Sequence, residues 1–579
     1  MLYMWRKILR AGLIFLSILA TVKLCIISLG IDEEYAVTMS YRIVNGERMF
    51  LEMWEPHQMS GFLSAFLIRM FLLVTVSTDY LILYLRLCGC VLQFLISLFL
   101  YYTTKRYFHP DACFIASVFF YNTLPKWIQT PEFANMLIWF SGLSFLCFLR
   151  YYFPVKPKED VNTGSFLWLI GAGISVSCLV LSYPSCILAV PILLICAWKV
   201  HTGRNGQFSV YCRQAGIFLG TCVVSGIAYI MYFLTKMSVQ DLLYGISQMM
   251  TDGAHSAAFT DRLLAYGQEL LTLLPHVLIA VIPSALLCLS VRKWRAWNRF
   301  FATALCIALA EQVIIWLGNS RYLHRPLIYF YILYSAGCCL YHCDLNHKNR
   351  ECRPIYIFMF WMGLVAGGAV WLSALLITNT TISVTGSYLM IGLISAILLM
   401  SESFSRESVD LAKTDLRLEI LTAIFLVGTT LFAKGFLVCS NEGVKDTVAM
   451  VRQKALYGPA KGIYCRYLEG YTLNLYAELL EQMSIEKKRV LYVGLHSLTY
   501  FYGEQVICNY STISTPTYDE RLLDYWNRNP EKRPELVICD MSEAYLAEIR
   551  QIIPLGELVV ECAILDNIEP VRIYRVAEP

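Results

Sequence analysis

Apolar runs of about 16 to 24 residues recur from Ile8 to Ser440, broken by short polar clusters. A run of that length satisfies its backbone inside lipid by closing into a helix, and a bilayer core is about 30 Å thick. With 57% hydrophobic and 16% charged residues, and a mean hydropathy of +0.54, a single water-surrounded core is excluded. The pattern predicts thirteen spans, at 8–29, 80–103, 111–124, 136–153, 165–183, 184–199, 214–234, 270–290, 299–318, 326–342, 354–378, 387–401 and 418–440. The segment 111–124 is short, and Tyr183-Pro184 is the sole turn signal between two of the runs. No small-x-small cleavage site precedes Asp32, so the first run is expected to stay as a helix.

The basic residues of this part are sorted by loop. Arg6/Lys7/Arg10, Lys105/Arg106, Arg150/Lys156/Lys158, Lys199/Arg204/Arg213, Arg292/Lys293/Arg295/Arg299, Lys348/Arg350/Arg353 and Arg406/Lys413/Arg417 fall in alternate loops. The loops between them hold Arg42, Arg48, Lys126, Lys236, Arg262, Arg321 and Arg325. The positive-inside rule puts the first set in the cytoplasm, with the N-terminus. An odd number of spans then puts the C-terminus outside. The expected location is the plasma membrane, crossed many times.

From Asn441 the apolar pattern stops, and residues 441–579 carry 15 Lys+Arg against 20 Asp+Glu. This stretch reads as a water-soluble domain following a membrane domain at 1–440. A helical pattern at 464–483 precedes β-branched runs at Arg489–Val493, Leu536–Cys539, Leu558–Glu561 and Val571–Val576, with helical patterns at 518–527 and 541–551 between them. Such alternation predicts a small α/β layer. Gly494 after the first strand is an ordinary strand-to-helix turn unless more glycines accompany it, and none does.

Most cysteines, among them Cys25, Cys88, Cys90, Cys178, Cys338 and Cys339, sit within apolar runs as small hydrophobes. Cys465, Cys508, Cys539 and Cys562 lack metal-ligand spacing. Neither a disulfide framework nor a metal site is read here, and no cofactor is indicated.

Two outside loops are long. Residues 31–79 begin acidic, with Asp32, Glu33, Glu34, Glu47, Glu52 and Glu55, then turn apolar from Phe62 to Val76, a stretch too short to span that reads as an interfacial or re-entrant helix. Residues 235–266, with Asp252, Gly253, His255 and Asp261, read as a mobile lid.

Asp32-Glu33-Glu34-Tyr35 directly follows the first span. Two readings stand: acids favoured in a helix's first turn by its dipole, or a general base that takes the proton of an attacking hydroxyl. Arg321, His324 and Arg325, beside Tyr322, cluster at an outside span end against the usual sidedness; they either anchor at the interface or bind phosphate, as Lys126 does in lesser degree. His57, beside Glu55, is either a metal ligand or a hydrogen-bonding loop residue. Lys23, Arg86 and Glu311 lie inside spans, where each needs a partner or a cavity. A bridge within the bundle is the expected role of Lys23 and Glu311, while Arg86 is expected to face the outer cavity.

The order of these features resembles the GT-C superfamily of membrane glycosyltransferases. Asp32-Glu33-Glu34-Tyr35, Tyr41-Arg42, Asn45-Gly46 and Trp54-Glu55-Pro56-His57-Gln58 before an apolar helix are similar to the first outer loop of the protein O-mannosyltransferases and the lipid A aminoarabinose transferases. Tyr84-Leu85-Arg86-Leu87, Leu124-Pro125 with Glu132, and Arg321-Tyr322-Leu323-His324-Arg325-Pro326 resemble later family features. The chain departs from the family in its second outer loop, where Glu132 and Asn135 stand in place of a common aspartate. The Trp-Trp-Asp motif of oligosaccharyltransferases is missing.

The resemblance implies transfer of one sugar from a polyprenyl-phosphate donor to an acceptor hydroxyl of a glycan, lipid or protein at the outer face, with inversion. It implies Asp32 as base with Glu33 beside it, Glu55, His57, Gln58, Arg86, Lys126 and Glu132 around donor and acceptor, and Arg321, Tyr322, His324 and Arg325 at the phosphate. Asp32, Glu55 and Arg321 are then expected around one cavity. The partners implied are lipids and glycans, with no nucleic acid. Two other classes fit the same composition. A transporter or flippase of a lipid-linked glycan would line its path with Lys23, Arg86 and Glu311 and would carry inverted repeats, and none is visible. A non-catalytic envelope scaffold would use the first loop to bind a partner.

Overall fold

The computed structural model describes residues 2–154, 165–250 except 205, 259–290, most of 300–311, scattered positions of 327–339, then 354–376, 382, 384–405, 427–440 except 429, 443–483, 488–512 except 495 and 504, 520–562 and 570–577. Among these, seven helices are long and apolar enough to cross a membrane: Arg6–Ile26, Leu81–Thr104, Phe133–Tyr152, Pro184–Thr202, Phe208–Leu234, Thr260–Leu287 and Pro354–Leu375. The predicted spans 111–124, 165–183 and 387–401 are shorter helices, those at 299–318 and 326–342 lie largely outside the described residues, and of 418–440 only 427, 428 and 430–440 are described. The described residues therefore do not establish a count of thirteen.

Helix α1 (Leu2–Ile26) turns Phe15, Ile18, Leu19 and Val22 outward, as a lipid-facing helix does. It stops where Ser28 takes a left-handed conformation (φ 68°) and Gly30 an extended one, which starts α2 (Ile31–Val44) at once. An apolar helix α3 (Gly61–Val74) packs on α2, with Arg69 exposed; at 14 residues it is about 21 Å long, short of a full span, as its sequence predicts. Then follow α4 (Leu81–Thr104), α5 (Pro110–Asn122), α6 (Phe133–Tyr152), α7 (Leu167–Ser182), α8 (Ala189–Thr202), α9 (Phe208–Leu234), α10 (Val239–Met250), α11 (Phe259–Ser290), α12 (Pro354–Leu375, with a π-helical turn over Met359–Val365) and α13 (Met390–Ser405).

The bundle has two distinct ends. At one, Arg10 pairs with Asp111, Arg6 stands 3.6 Å from the same carboxylate, and Arg204 donates to the Tyr152 carbonyl. At the other lie α2, α3, α10 and all of the C-terminal sheet. Short α5 runs from Asp111 at the basic end to Asn122 near the other, buried nearly all round, so 13 residues suffice where a lipid-facing helix would need about 20. The turn at Tyr183 is a reversal. Tyr183 packs on His57 at the acidic end, whereas Arg204, just past α8, reaches Tyr152 at the basic end. Hence α7 and α8 are separate, antiparallel helices.

The C-terminal region starts earlier than its composition implies. Strand β1 (Leu437–Ser440), inside the expected last span, pairs antiparallel with β2 (Gly443–Asp446). After β3 (Gln453–Lys454), β4 (Tyr464–Cys465) and α14 (Tyr467–Gln482) comes a five-stranded sheet built from β5 (Arg489–Val493), β6 (Val506–Ile507), β7 (Leu536–Cys539), β8 (Leu555–Cys562) and β9 (Val571–Val576), in the order β6-β5-β7-β9-β8. β6, β5 and β7 are parallel; β9 is antiparallel to β7 and to β8. Alternate residues serve opposite faces. Leu491, Val493 and Val537 pack on α15 (Glu520–Arg528) and α16 (Glu543–Ile552), and Val490, Tyr492 and Ile538 pack on α14.

The first loop belongs to this sheet's core. Trp54 is buried against Tyr244, Tyr510 and Tyr525, its N–H bonding the Tyr510 carbonyl at 2.9 Å. Tyr525 and Asn529 bond the carbonyls of Glu52 and Leu51. The described part of 235–266 is likewise docked rather than a free lid: in α10, Tyr244 bonds Asp524 and Gln248 bonds Arg521. Asp252, Gly253 and His255 lie outside the described residues.

Candidate active site at the α1–α2 corner

The end of α1 leaves carbonyl groups that no helical N–H can reach. Arg86 of α4 fills them, donating to the carbonyls of Leu24 (2.9 Å), Cys25 (3.1 Å), Ile27 and Ser28. Its other edge meets the Glu33 carboxylate in a two-point ion pair, with Nε to Oε1 at 2.8 Å. A guanidinium suits this place because its planar fork serves a carboxylate and a row of carbonyls together. Arg86 and Glu33 are both buried. They form the back of the corner, paired with each other and with the α1 carbonyls, where the sequence leads one to expect Arg86 to face the outer cavity.

With Glu33 turned inward, Asp32 faces out. Its carboxylate is partly open, with 22% of the side chain exposed, and is paired with Lys126. That lysine is presented by the loop between α5 and α6, in a left-handed conformation (φ 51°) after Pro125. The loop is shaped by Asn135, whose amide donates to the carbonyls of Ile128 (2.9 Å) and Thr130 (2.7 Å), and by Ser64 donating to Pro131. Gly89 of α4 lets it approach, since a Cβ there would lie 1.7 Å from the Gln129 carbonyl oxygen.

Glu132 caps α6, accepting from the N–H groups of Ala134 (3.0 Å) and Asn135 (2.8 Å). Burial pushes its carboxyl up to about 7, with the Asp32 charge adding to the rise and the backbone bonds and Lys126 opposing it. The His57 ring stacks on Phe133 at 4.0 Å and tilts against Tyr183, whose hydroxyl meets that of Tyr388 at 3.0 Å. Lys126, Glu132 and Asp32 all lie within electrostatic reach of Tyr183.

The structure thus gathers Asp32, Lys126, Glu132 and His57, and adds Tyr183 and Tyr388. Neither tyrosine is singled out by the sequence, where Tyr183 marks only a turn; no residue pattern signals the pair. Glu55 is elsewhere. Fully buried, it accepts from Arg42 (3.2 Å), Ser511 (3.0 Å) and the Thr512 N–H (2.7 Å), so it ties the first loop to the C-terminal region. Gln58 is buried too, its side-chain oxygen accepting from the Phe50 N–H at 2.9 Å. Arg321, Tyr322, His324 and Arg325 lie outside the described residues. Lys23 donates to the Leu437 carbonyl at 2.7 Å, and Glu311 pairs with His276. No group of three metal-ligating side chains occurs among the described residues.

Four non-glycine residues among those described have positive φ: Ser28, Phe50, Tyr80 and Lys126. All four lie at the acidic end. Each such conformation costs about 1–3 kcal/mol and persists where surrounding contacts fix it, as the Tyr464 carbonyl and Arg86 fix Ser28.

No family model and no curated protein sequence matches the chain. Among solved structures it has distant likenesses. One is the apo oligosaccharyltransferase of Archaeoglobus fulgidus, at a TM-score of 0.48 and 11% identity, covering 93% of this chain and 70% of that one. Another is apo ArnT from Cupriavidus metallidurans, at a TM-score of 0.45 and 11% identity, covering 99% of this chain and 98% of that one. ArnT bound to undecaprenyl phosphate aligns at a TM-score of 0.42 and 12% identity, over 98% and 97% of the two chains. These likenesses are distant, and the chemistry of the corner rests on the residues that build it.

Proposed function

We propose that the chain is a membrane glycosyltransferase that moves one sugar from a polyprenyl-phosphate donor to an acceptor hydroxyl at the outer face of the plasma membrane. The observation that carries this reading is the open carboxylate of Asp32, held by Lys126 beside buried Glu132 at the end of an apolar bundle. A carboxylate so placed takes the hydroxyl proton as the acceptor oxygen bonds to the anomeric carbon. The bond from that carbon to the phosphate oxygen breaks, its electron pair leaves on polyprenyl phosphate, and displacement from the opposite face inverts the centre. The leaving group is already anionic and stable, so it needs cations rather than a general acid; Lys126 is one, and Arg321 and Arg325 are assigned with it.

An apolar groove of about 970 Å³ between α8, α11 and α12, lined by Leu188, Ile192, Leu263, Leu270, Leu372 and Leu375, supports a lipid-linked donor over a soluble one. Glu33 and Arg86 act in this reading by fixing the turn that carries Asp32. The C-terminal region is assigned to the outer side with the site.

The test uses the full-length protein in lipid nanodiscs with a panel of undecaprenyl-phosphate monosaccharides, reading release of undecaprenyl phosphate and product stereochemistry. Asp32→Asn is expected to lose roughly 10²- to 10⁴-fold in rate with the fold intact. Full transfer by that variant, or retention at the anomeric centre, would overturn the assignment.

A further inference from the structure

The first turn of α2 has a third acid, Glu34, which the chemistry above does not use. It is fully buried and faces the C-terminal region, where His496 Nδ1 stands 3.5 Å from its Oε1. His496 lies three residues beyond β5 and Asp540 directly follows β7, so the two sit at the carboxyl ends of adjacent parallel strands, where α/β sheets place their functional groups. Here that edge is turned onto α2. Thr38 and Ser497 hydroxyls meet at 3.2 Å, and the rings of Tyr41 and Phe501 stack at 4.2 Å, fixing the contact beside the histidine.

Behind His496 the packing is polar and closed. Its backbone N–H donates to the Tyr492 hydroxyl (3.0 Å), which donates to Asp540 (2.7 Å), as does Tyr476 (2.9 Å). Gly494 is required between them, since a Cβ there would lie 2.1 Å from Asp540 Oδ1. The charged and titratable groups around the imidazole are therefore Glu34 from α2, Glu469 and Tyr476 from α14, and Asp540 and Tyr492 from the sheet side. Burial alone would lower the imidazole, but Glu34, with Asp540 and Glu469 adding, raises it to about 9. That direction favours the charged imidazole beside Glu34. Two residues from Asp32, a buried ion pair across the junction of the bundle and the sheet fixes the turn from one side while Arg86 and Glu33 fix it from the other.

We propose that His496 is a positioning residue of the active site: from the C-terminal sheet it holds Glu34, and so sets the orientation in which α2 presents Asp32 to Lys126 and the acceptor. This rests on the reading of Asp32 as the base. It gives the sheet a part in the catalytic geometry, through α2 and without touching substrate.

Two readouts on the full-length protein in nanodiscs separate this proposal from the reading it rests on. The first needs no substrate: the rate at which a water-soluble carbodiimide labels Asp32, followed by peptide mass spectrometry. His496→Gln and Glu34→Gln are each expected to change that rate several-fold, the double variant no further than either single one, and His496→Lys to restore it. The second is undecaprenyl phosphate release from undecaprenyl-phosphate monosaccharides. His496→Gln is expected to lower kcat roughly ten- to a hundredfold at unchanged KM. Because the raised imidazole keeps its charge below about pH 9 and loses it as pH rises through that value, the wild type is expected to lose activity there, and the glutamine variant to lack that limb.

Unchanged Asp32 labelling in all variants would overturn the positioning role whatever the assay shows. Changed labelling with Asp32→Asn fully active would keep the mechanical link and sink the catalytic reading alone. Should His496→Gln fail to fold, Glu34→Gln and His496→Lys carry the same comparison.

Discussion

Arg86 and Glu33 meet inside the bundle in a two-point ion pair, and the same guanidinium caps the carbonyl end of α1. One residue of α4 thereby fixes the corner between α1 and α2. Removing a single member of a buried pair leaves an uncompensated charge and costs about 3–5 kcal/mol, whereas replacing both with apolar groups is near neutral. Arg86→Met is expected to fall in that range, and the double variant with Glu33→Leu to regain much of the loss. Thermal unfolding in detergent reads both. The double variant should still transfer poorly, because the cap on α1 is gone.

Glu132 supplies a pH dependence of stability. Its carboxyl, raised by burial from 4.5 to about 7, holds a proton in the folded state that the unfolded chain releases across that window. Its contribution is fully present below about 4.5 and is lost as pH rises through about 7. Glu132→Gln, which mimics the neutral carboxyl, is expected to flatten the fall of apparent Tm between those values. An unchanged slope would place the dependence on other groups.

Gly89 admits the loop that presents Lys126. With a Cβ 1.7 Å from the Gln129 carbonyl oxygen, Gly89→Ala must push the loop off α4. Overpacking of this kind costs about 1–3 kcal/mol. Transfer activity is expected to fall further than stability does, because the displaced loop carries one partner of Asp32.

Trp54 is the joint between the first loop and the C-terminal sheet. Trp54→Ala removes a ring packed on Tyr244, Tyr510 and Tyr525, at a cost of about 3–5 kcal/mol. The expected sign is faster limited proteolysis within 488–577, with the helices of the bundle still protected.

Much of this was legible in the sequence because hydropathy and β-branching are local signals. The described apolar helices and the main strands follow them, whereas α2 and α10 fall in segments read as loops, and the apolar stretch at 62–76 forms a helix too short to span. The short helix α5 has the length of a poor span because its environment is protein, which no single-segment count detects. The inward turn of Glu33 and the outward turn of Asp32 depend on helix phase against α4, and an acidic triplet does not encode it. Glu55 illustrates the same limit. Its spacing from Trp54 and His57 suits a binding loop, yet its partners Ser511 and Thr512 lie 456 and 457 residues away. His496 carries no motif; only the docking of β5's carboxyl end on α2 gives it meaning.

The backbone N–H of Ser28 bonds the Tyr464 carbonyl at 2.7 Å, and Lys23 reaches Leu437 across 414 residues. The corner that holds Asp32 is therefore closed by chain made long after it. A ribosome delivering this protein has inserted α1 and α2 long before it supplies β1 and β4, and long-range contacts of this kind form slowly. During that interval the acidic turn lacks its C-terminal supports. Synthesis itself thus imposes an order in which α1 is inserted first and the supports of the turn at Asp32 follow more than 400 residues later.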